Sequence, residues 1–460
     1  MNFFKNIFKD TVIYSLVTFL GKFINYLLIP FLSKYICSSD FGIISNIYAY
    51  IAILNIVYNY GMEVTYFRFG QEKSKQIKTL ILFSTLLFSF IAFIVFRQIK
   101  FFPNYALYIV LILTIDTLTL LPFAELKINR NLKKYSLLKF VQTITNVLLV
   151  IVFIKFLNLE AVKFYLIANI LGNAIVLLFL NPFSIVKIAK KEILELLSFA
   201  LPLMLVNLIG EINSKWIILS LNFFLPSDFY KEISKNSIIG IVSMNCKVGA
   251  VIGICIQAFR SAFDSMIFKK ENDNIAIHQQ TMHYFIIVIS FIWFALSINK
   301  NFIAEVFFRN EIYKQGLIVI PFIGFYHMCN GIYYNISIYF KKINKTIFNF
   351  IFAIISLVTN IFLSFILIPH IGYIGSLIAN ISGILFGIVL SYWKNNIRYR
   401  KIDVVWILIP MVIIYIHDIF IKSFLITILI TIFYFFCVLL FLYKNDVALK
   451  NFIKSKIGKR

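Results

Sequence analysis

One feature constrains this chain more than any other. About twenty mostly apolar residues are followed by a short connection carrying lysine or arginine, and the pattern recurs nearly end to end. A helix that crosses a bilayer needs about 20 such residues. Breaking the sequence at its charged clusters gives runs near 11–32, 41–62, 79–96, 104–124, 136–157 and 161–180. A second series lies near 197–221, 238–262, 283–298, 316–339, 347–369, 371–393, 403–418 and 420–443. In lipid every backbone polar group must be satisfied within the segment, so runs of this length are helices. The expectation is an all-α polytopic membrane protein of about 14 transmembrane helices. Composition agrees, with 61% hydrophobic and 14% charged residues, where ordinary globular domains carry about a quarter charged. The first run follows Lys5 and Lys9, and no small-residue cleavage site comes after it, so it reads as a retained helix. The longest polar gaps, around 222–237, 264–282 and 299–315, are too short for a folded soluble domain.

The net charge of +24 would suggest a nucleic-acid partner in a soluble chain. Here it divides by side. With the N-terminus in the cytoplasm, twenty-nine of the 44 Lys and Arg fall in alternate connections and the tail, and eleven in the others. That asymmetry places both termini in the cytoplasm and calls for no nucleic acid. Four lysines, Lys22, Lys139, Lys215 and Lys247, fall inside apolar runs.

A faint internal repeat runs through the chain. Gly42-Ile43-Ile44-Ser45 opens the second run and Gly240-Ile241-Val242-Ser243 the eighth. Lys127-Ile128-Asn129-Arg130 is echoed by Lys342-Ile343-Asn344-Lys345, and Lys22 by Lys215. The matched runs lie six apart and cross in the same sense, as in carriers built from two related halves. The division expected is an N-terminal six-helix bundle over 1–194, a second over 195–395, and two further helices with a basic tail over 396–460.

Catalytic patterns do not emerge. There is no G-x-x-x-x-G-K-[ST] loop to wrap phosphates. The five cysteines and five histidines show no metal-ligand spacing, so neither metal nor cofactor is expected. Acidic pairs such as Glu192/Glu195 sit in basic connections and read as solvated surface. The informative charges are those inside the membrane, where an ionisable side chain costs about 3 kcal/mol or more and normally faces a cavity or a partner. Lys22 has Asn25 one turn on, and Asn207, Glu211, Ser214 and Lys215 recur at helical spacing. Glu211 and Lys215 stand at i, i+4, where mutual neutralisation and substrate contact are both open. Lys247 lies mid-run, and Arg260 near the inner end can snorkel, pair with Asp264 or face a cavity. On a straight helix Lys247 and Arg260 are about 140° apart, so they share a cavity only if the helix bends, and Gly249 and Gly253 allow that. Lys139, a few residues into its run, reads as snorkelling. Asp116 is a candidate ligand for a coupling ion, Na+ or H+, or the partner of a cavity lysine, and Glu211 is a second coupling candidate. Asparagines at 146, 169, 173, 330, 335, 360 and 380 read as interhelical hydrogen bonds. Cations lining a cavity suit an anionic cargo such as a phosphate or pyrophosphate head group.

Several motifs resemble a known family. Ser39-Asp40-Phe41-Gly42-Ile43 and Tyr60-Gly61-Met62-Glu63-Val64-Thr65-Tyr66-Phe67-Arg68-Phe69 are similar to the signature of the Wzx-type polysaccharide flippases. Leu201-Pro202-Leu203, Cys246-Lys247, Ile256-Gln257-Ala258-Phe259-Arg260, Gly331-Ile332-Tyr333-Tyr334-Asn335 and Ile368-Pro369-His370 extend the likeness, in order, to about residue 395. That family shares the MOP exporter superfamily with lipid II flippases and MATE multidrug exporters. The resemblance implies two pseudo-symmetric six-helix bundles around a central cavity, with two added helices. It also implies alternating access in the bacterial cytoplasmic membrane, moving an undecaprenyl-pyrophosphate-linked glycan outward. The partners it implies are the lipid-linked glycan, membrane lipid and the polymerase or glycosyltransferases of the same pathway, with the chain itself a monomer. Lys247 and Arg260 match family positions; where the family often has an Asp-Arg pair this chain reads Ser214-Lys215, keeping the cation. The expected substrate-binding set is Lys22, Asn25, Glu211, Lys215, Lys247 and Arg260. Two rivals are a MATE-like cation-coupled multidrug exporter, where acids would be expected in the cavity, and a glycan polymerase or ligase, where a long outer loop would be expected.

Overall fold

The computed structural model describes residues 21, 23–98, 103–267, 275–343, 345–395, 397, 399–400, 402–420 and 423–445. These residues are overwhelmingly helical, as unbroken apolar runs in lipid must be. Among them, ten segments are long and apolar enough to cross a membrane, the segment 38–98 counting once although it holds more than one helix. Lys22 lies outside the described residues, as does the Asp264 side chain.

The chain divides into two compact units. The first comprises residues 1–244, 308–315 and 350–383. Its helices are α1 (Ile29–Tyr35), α2 (Ser38–Asn59), α3 (Met62–Gln98), α4 (Ala106–Ile128), α5 (Leu132–Ile151), α6 (Ala161–Leu177) and α7 (Lys190–Phe224). To these it adds most of α8 (Lys235–Gly249), α13 (Ile347–Ile371) and the first half of α14 (Tyr373–Lys394). Within the unit α3 packs on α4, α4 and α5 on α6, and α2 on both α4 and α7. Exposed Phe83, Leu86, Leu87 and Phe90 along α3 form the apolar outer face that lipid tails would cover.

Two glycine sites explain motifs that the sequence only displays. At the turn between α2 and α3, Tyr60 and Gly61 both adopt positive φ, +33° and +81°. A Cβ on Gly61 would stand 2.4 Å from the Ala200 carbonyl oxygen of α7. Only glycine allows both that conformation and that approach. The second site joins the two repeat motifs to one another. A Cβ on Gly42 of α2 would meet the Asn236 carbonyl oxygen at 1.8 Å, and one on Gly240 of α8 would meet the Ser38 carbonyl oxygen at 1.9 Å. The contact is reciprocal, each glycine facing the carbonyl four residues before the other. Nearby, Tyr313 Oη donates to the Ile36 carbonyl (2.9 Å) and the Arg309 amide donates to Ser33 Oγ (3.0 Å). This end of the first unit, remote from the lysine-rich connections, is therefore tightly tied.

The second unit comprises residues 245–307, 316–349 and 384–460. It holds α9 (Val251–Ile267), α10 (Ile275–Ile298), α11 (Lys300–Phe307), α12 (Val319–Lys342), α15 (Ile402–Phe420) and α16 (Phe424–Asn445). The long eighth run breaks between α8 and α9 at Ala250. A Cβ on Gly249 there would lie 3.0 Å from the Ile320 carbonyl and the Ile323 side chain, so α12 presses directly on the break. The helix is thus interrupted beside Gly249, where the sequence allows a bend. The last two helices are fastened by charge. Asp403 in the first turn of α15 accepts from His283 Nδ1 of α10, both side chains about 95% buried, and Asp418 in its last turn pairs with Lys300 of α11.

Candidate functional site

Helices α2 to α6 of the first unit, with Asn25 ahead of α1, enclose a polar cavity of about 610 Å³. Its centre is Asp116, halfway along α4. Asn55 Nδ2 of α2 donates to Asp116 Oδ2 (3.3 Å), and Asn173 Nδ2 of α6 donates to Oδ1. Asn173 Oδ1 in turn accepts from Gln142 Nε2 (2.7 Å), and Gln142 Oε1 from Lys139 Nζ (3.0 Å). The Lys139 ammonium also lies 4.1 Å from the centre of the Phe123 ring, close enough for cation–π attraction. A continuous hydrogen-bonded chain therefore runs from the ammonium of α5 through two amides to the carboxylate of α4. This arrangement meets the cost of placing a charge within the membrane by keeping every member satisfied. At the end nearer the basic connections, Lys127 pairs with Glu63 at 2.9 Å. The formal charges lining the cavity, Glu63, Asp116, Lys127 and Lys139, cancel.

Lys139 does not snorkel out of the membrane. Its helix starts at Leu132, capped by Asn131 Oδ1 accepting from the Lys134 amide, and that start turns the side chain toward Gln142 and Asp116. Asn173 forms the interhelical bond expected of it. Asn25 lines the same cavity, its amide donating to the Gly21 carbonyl at 3.1 Å.

The other charges fall elsewhere. On α7, Lys215 Nζ stands 3.5 Å from Glu211 Oε1, with both side chains about a third exposed. The pair is internal to the helix and still open on one side. Asn213 between them faces the opposite way. It donates to Ser356 Oγ (3.2 Å) and accepts from Asn360 Nδ2 (2.9 Å), while its carbonyl accepts from Asn380 Nδ2 (3.3 Å). Two of the helix-joining amides, Asn360 and Asn380, are thus explained by one buried asparagine. In the second unit Arg260 of α9 donates to the Asn330 carbonyl (3.3 Å) and Oδ1 (3.2 Å) of α12. Its guanidinium stacks 4.0 Å from the Tyr334 ring centre, with Lys341 Nζ 4.6 Å from the same ring. Lys247 is half-buried in the last turn of α8. Outside the membrane-spanning stretches, the Glu195 carboxylate bonded to Lys73 raises that ammonium above its ordinary range, and it ties the break in α3 to α7. Among the described residues no cluster of three or more His, Cys, Asp or Glu is placed to hold a metal ion.

Residues 7–228 match the sequence profile of a family described as "Polysaccharide biosynthesis protein". No curated protein matches the chain. Among solved structures, the lipid II flippase MurJ in an inward closed conformation aligns at a TM-score of 0.75 and 14% identity, covering 94% of this chain and 99% of that one. The chain shares the fold of that flippase. An inward-facing multidrug resistance MATE transporter of the MOP superfamily aligns at a TM-score of 0.59 and 13% identity, covering 87% of this chain and 96% of that one. A MATE protein in its straight conformation aligns at 0.56 and 14%, covering 89% and 96%. The ten long apolar segments among the described residues and this fold agree on a multi-pass membrane protein.

Sequence reasoning missed Gln142 and underrated Lys139 as members of the cavity. The signal was present as Lys139, Gln142 and Asn146 at helical spacing in one apolar run, opposite Asn169 and Asn173 in the next.

Proposed function

We propose that this protein is a flippase. It carries a lipid (undecaprenyl) pyrophosphate-linked oligosaccharide or peptidoglycan precursor across the bacterial cytoplasmic membrane by alternating access. Fourteen spans with both termini in the cytoplasm, organised as two six-helix bundles and two added helices, complete the reading. The observation that carries it is the fold shared over nearly the whole chain with a lipid II flippase, on a sequence whose first half matches a polysaccharide-biosynthesis family. Cations support an anionic head group: Lys215 on its open face, and Arg260 and Lys341 both against the Tyr334 ring. Lys22, Asn25, Glu211 and Lys247 complete the proposed substrate set. Coupling to Na+ or H+ through Asp116 or Glu211 belongs to the same proposal.

Depletion of the protein should cause intact lipid-linked precursor to accumulate on the cytoplasmic leaflet, measured by extracting and separating lipid-linked intermediates. Unchanged pools would sink the reading. Lys215→Ala and Arg260→Ala should each lower export of the precursor about tenfold or more, with protein levels unaltered. Losing a charge-assisted hydrogen bond of about 1.5–3 kcal/mol sets that scale. Full export in both variants would remove the cationic argument. The multidrug reading is favoured only by the buried Asp116 carboxylate, and it requires drug susceptibility to rise on depletion while the precursor pools stay constant.

A further inference from the structure

Resting on that reading, we propose that the polar cavity of the first unit is the subsite for the sugar rings of the cargo, distinct from the cations that would hold its pyrophosphate.

Charge comes first. The two acids and two lysines lining the cavity cancel, and each lysine already has a partner: Lys127 on Glu63, Lys139 on Gln142 and the Phe123 ring. A pyrophosphate calls for surplus cations, and the described lining of this cavity has none. Its uncharged lining is of a different kind. Asn146 offers both donors and an acceptor, and Asn25 and Asn169 each keep polar capacity beyond one internal bond, which is what sugar hydroxyls, donors and acceptors at once, require. Tyr48 and Tyr165 bring aromatic surface to the same wall, edge to face with ring centres 5.8 Å apart. Ring C–H faces of sugars pack on such surfaces. A volume of about 610 Å³ falls within the ~300–1,000 Å³ typical of small-ligand sites, with room for one or two rings.

A second observation points to a ligand. Tyr48 Oη is buried, lines this cavity and bonds to no described group. A buried hydroxyl without a partner is costly, and a bound hydroxyl-bearing ligand would satisfy it. Meanwhile the oxygens a sodium ion would seek are committed: Asn173 Oδ1 accepts from Gln142, and Asn169 Oδ1 from Asn173 (3.3 Å). The Asp116 network therefore holds the amides in place, and the Asn146, Asn169 and Tyr48 side chains are left to meet the sugar.

The test uses the full chain in lipid nanodiscs and two probes, followed by competitive native mass spectrometry. One probe is undecaprenyl pyrophosphate bearing an N-acetylhexosamine disaccharide, and the other is sugar-free undecaprenyl pyrophosphate. The wild type should prefer the sugar-bearing lipid at least tenfold. Tyr48→Phe removes only the unpartnered oxygen, so the empty protein should melt no lower, yet the preference should fall about fivefold, the scale of one neutral hydrogen bond. Asn169→Leu should abolish the preference. Lys215→Ala should weaken both probes alike. Equal wild-type affinity for the two lipids overturns the proposal, as does a preference that survives both cavity variants. A change confined to the sodium or proton dependence of transport would make the cavity an ion site and also overturn it. If neither lipid binds, the flippase reading fails and the subsite falls with it.

Discussion

Gly42→Ala is expected to prise α2 away from α8. The added Cβ would sit 1.8 Å from the Asn236 carbonyl oxygen and 3.0 Å from the Gly240 nitrogen, both backbone atoms that cannot rotate aside. Something must move, and the movable object is a helix. Overpacking of this kind costs about 1–3 kcal/mol, and backbone clashes belong at the upper end. That is a factor of roughly 5 to 150 against the packed arrangement. Gly240→Ala should act alike, since its Cβ would lie 1.9 Å from the Ser38 carbonyl oxygen. Gly210 is the control. Nothing stands within 4 Å of its would-be Cβ, so Gly210→Ala should be neutral or stabilise the helix by about 0.5–1 kcal/mol. Spin labels on Cys37 and on Ser234→Cys, with the other cysteines replaced by serine, read the result directly; both positions are exposed. The Gly42→Ala and Gly240→Ala proteins should show longer or broader distances than wild type, and lower melting temperatures in detergent. Wild-type distances and melting in both would show that the helices can absorb the methyl group.

The second large effect is at the foot of α15. His283→Ala or Asp403→Ala leaves one member of a nearly fully buried pair without its partner. Breaking such a pair typically costs about 3–5 kcal/mol, because the remaining polar group is desolvated and unpaired. The expected result is a marked fall in the melting temperature of the solubilised protein and loosened packing of α15 on α10. The double variant His283→Leu/Asp403→Leu should recover most of that loss, since replacing both partners by apolar groups removes the stranded group. If either single variant melts like the wild type, the pair is not what holds the helix. Lys300 and Asp418 give α15 a second fastening at its other end. Asp418 sits in the last turn, where the helix dipole disfavours an acid, and the lysine offsets this.

Much of this was legible from residues alone, for a physical reason. In lipid the backbone has no solvent partner, so run length and apolar content determine helices without help from neighbours. The glycines at 249 and 253 announced a possible bend, and the break at Ala250 followed, because a residue without a side chain lets α12 approach closely. Glu211 and Lys215 could be paired from their spacing, since i, i+4 residues meet on any helix. Lys139 could not be placed the same way. A lysine a few residues into a span reaches the interface or an inner partner with equal ease, and the choice depends on Gln142 and Phe123 being turned toward it.

By itself, then, the sequence determined the helices, their membrane setting and which charges had to be accounted for, since each follows from local hydrophobicity and short-range spacing. Which charges share a cavity was decided by the tertiary structure. Asn55, Asp116, Lys139, Gln142 and Asn173 come from four helices whose facing sides are set by packing. The meeting of Gly42 with Gly240, almost two hundred residues apart, was likewise fixed only when two backbones approached closely enough to exclude any side chain.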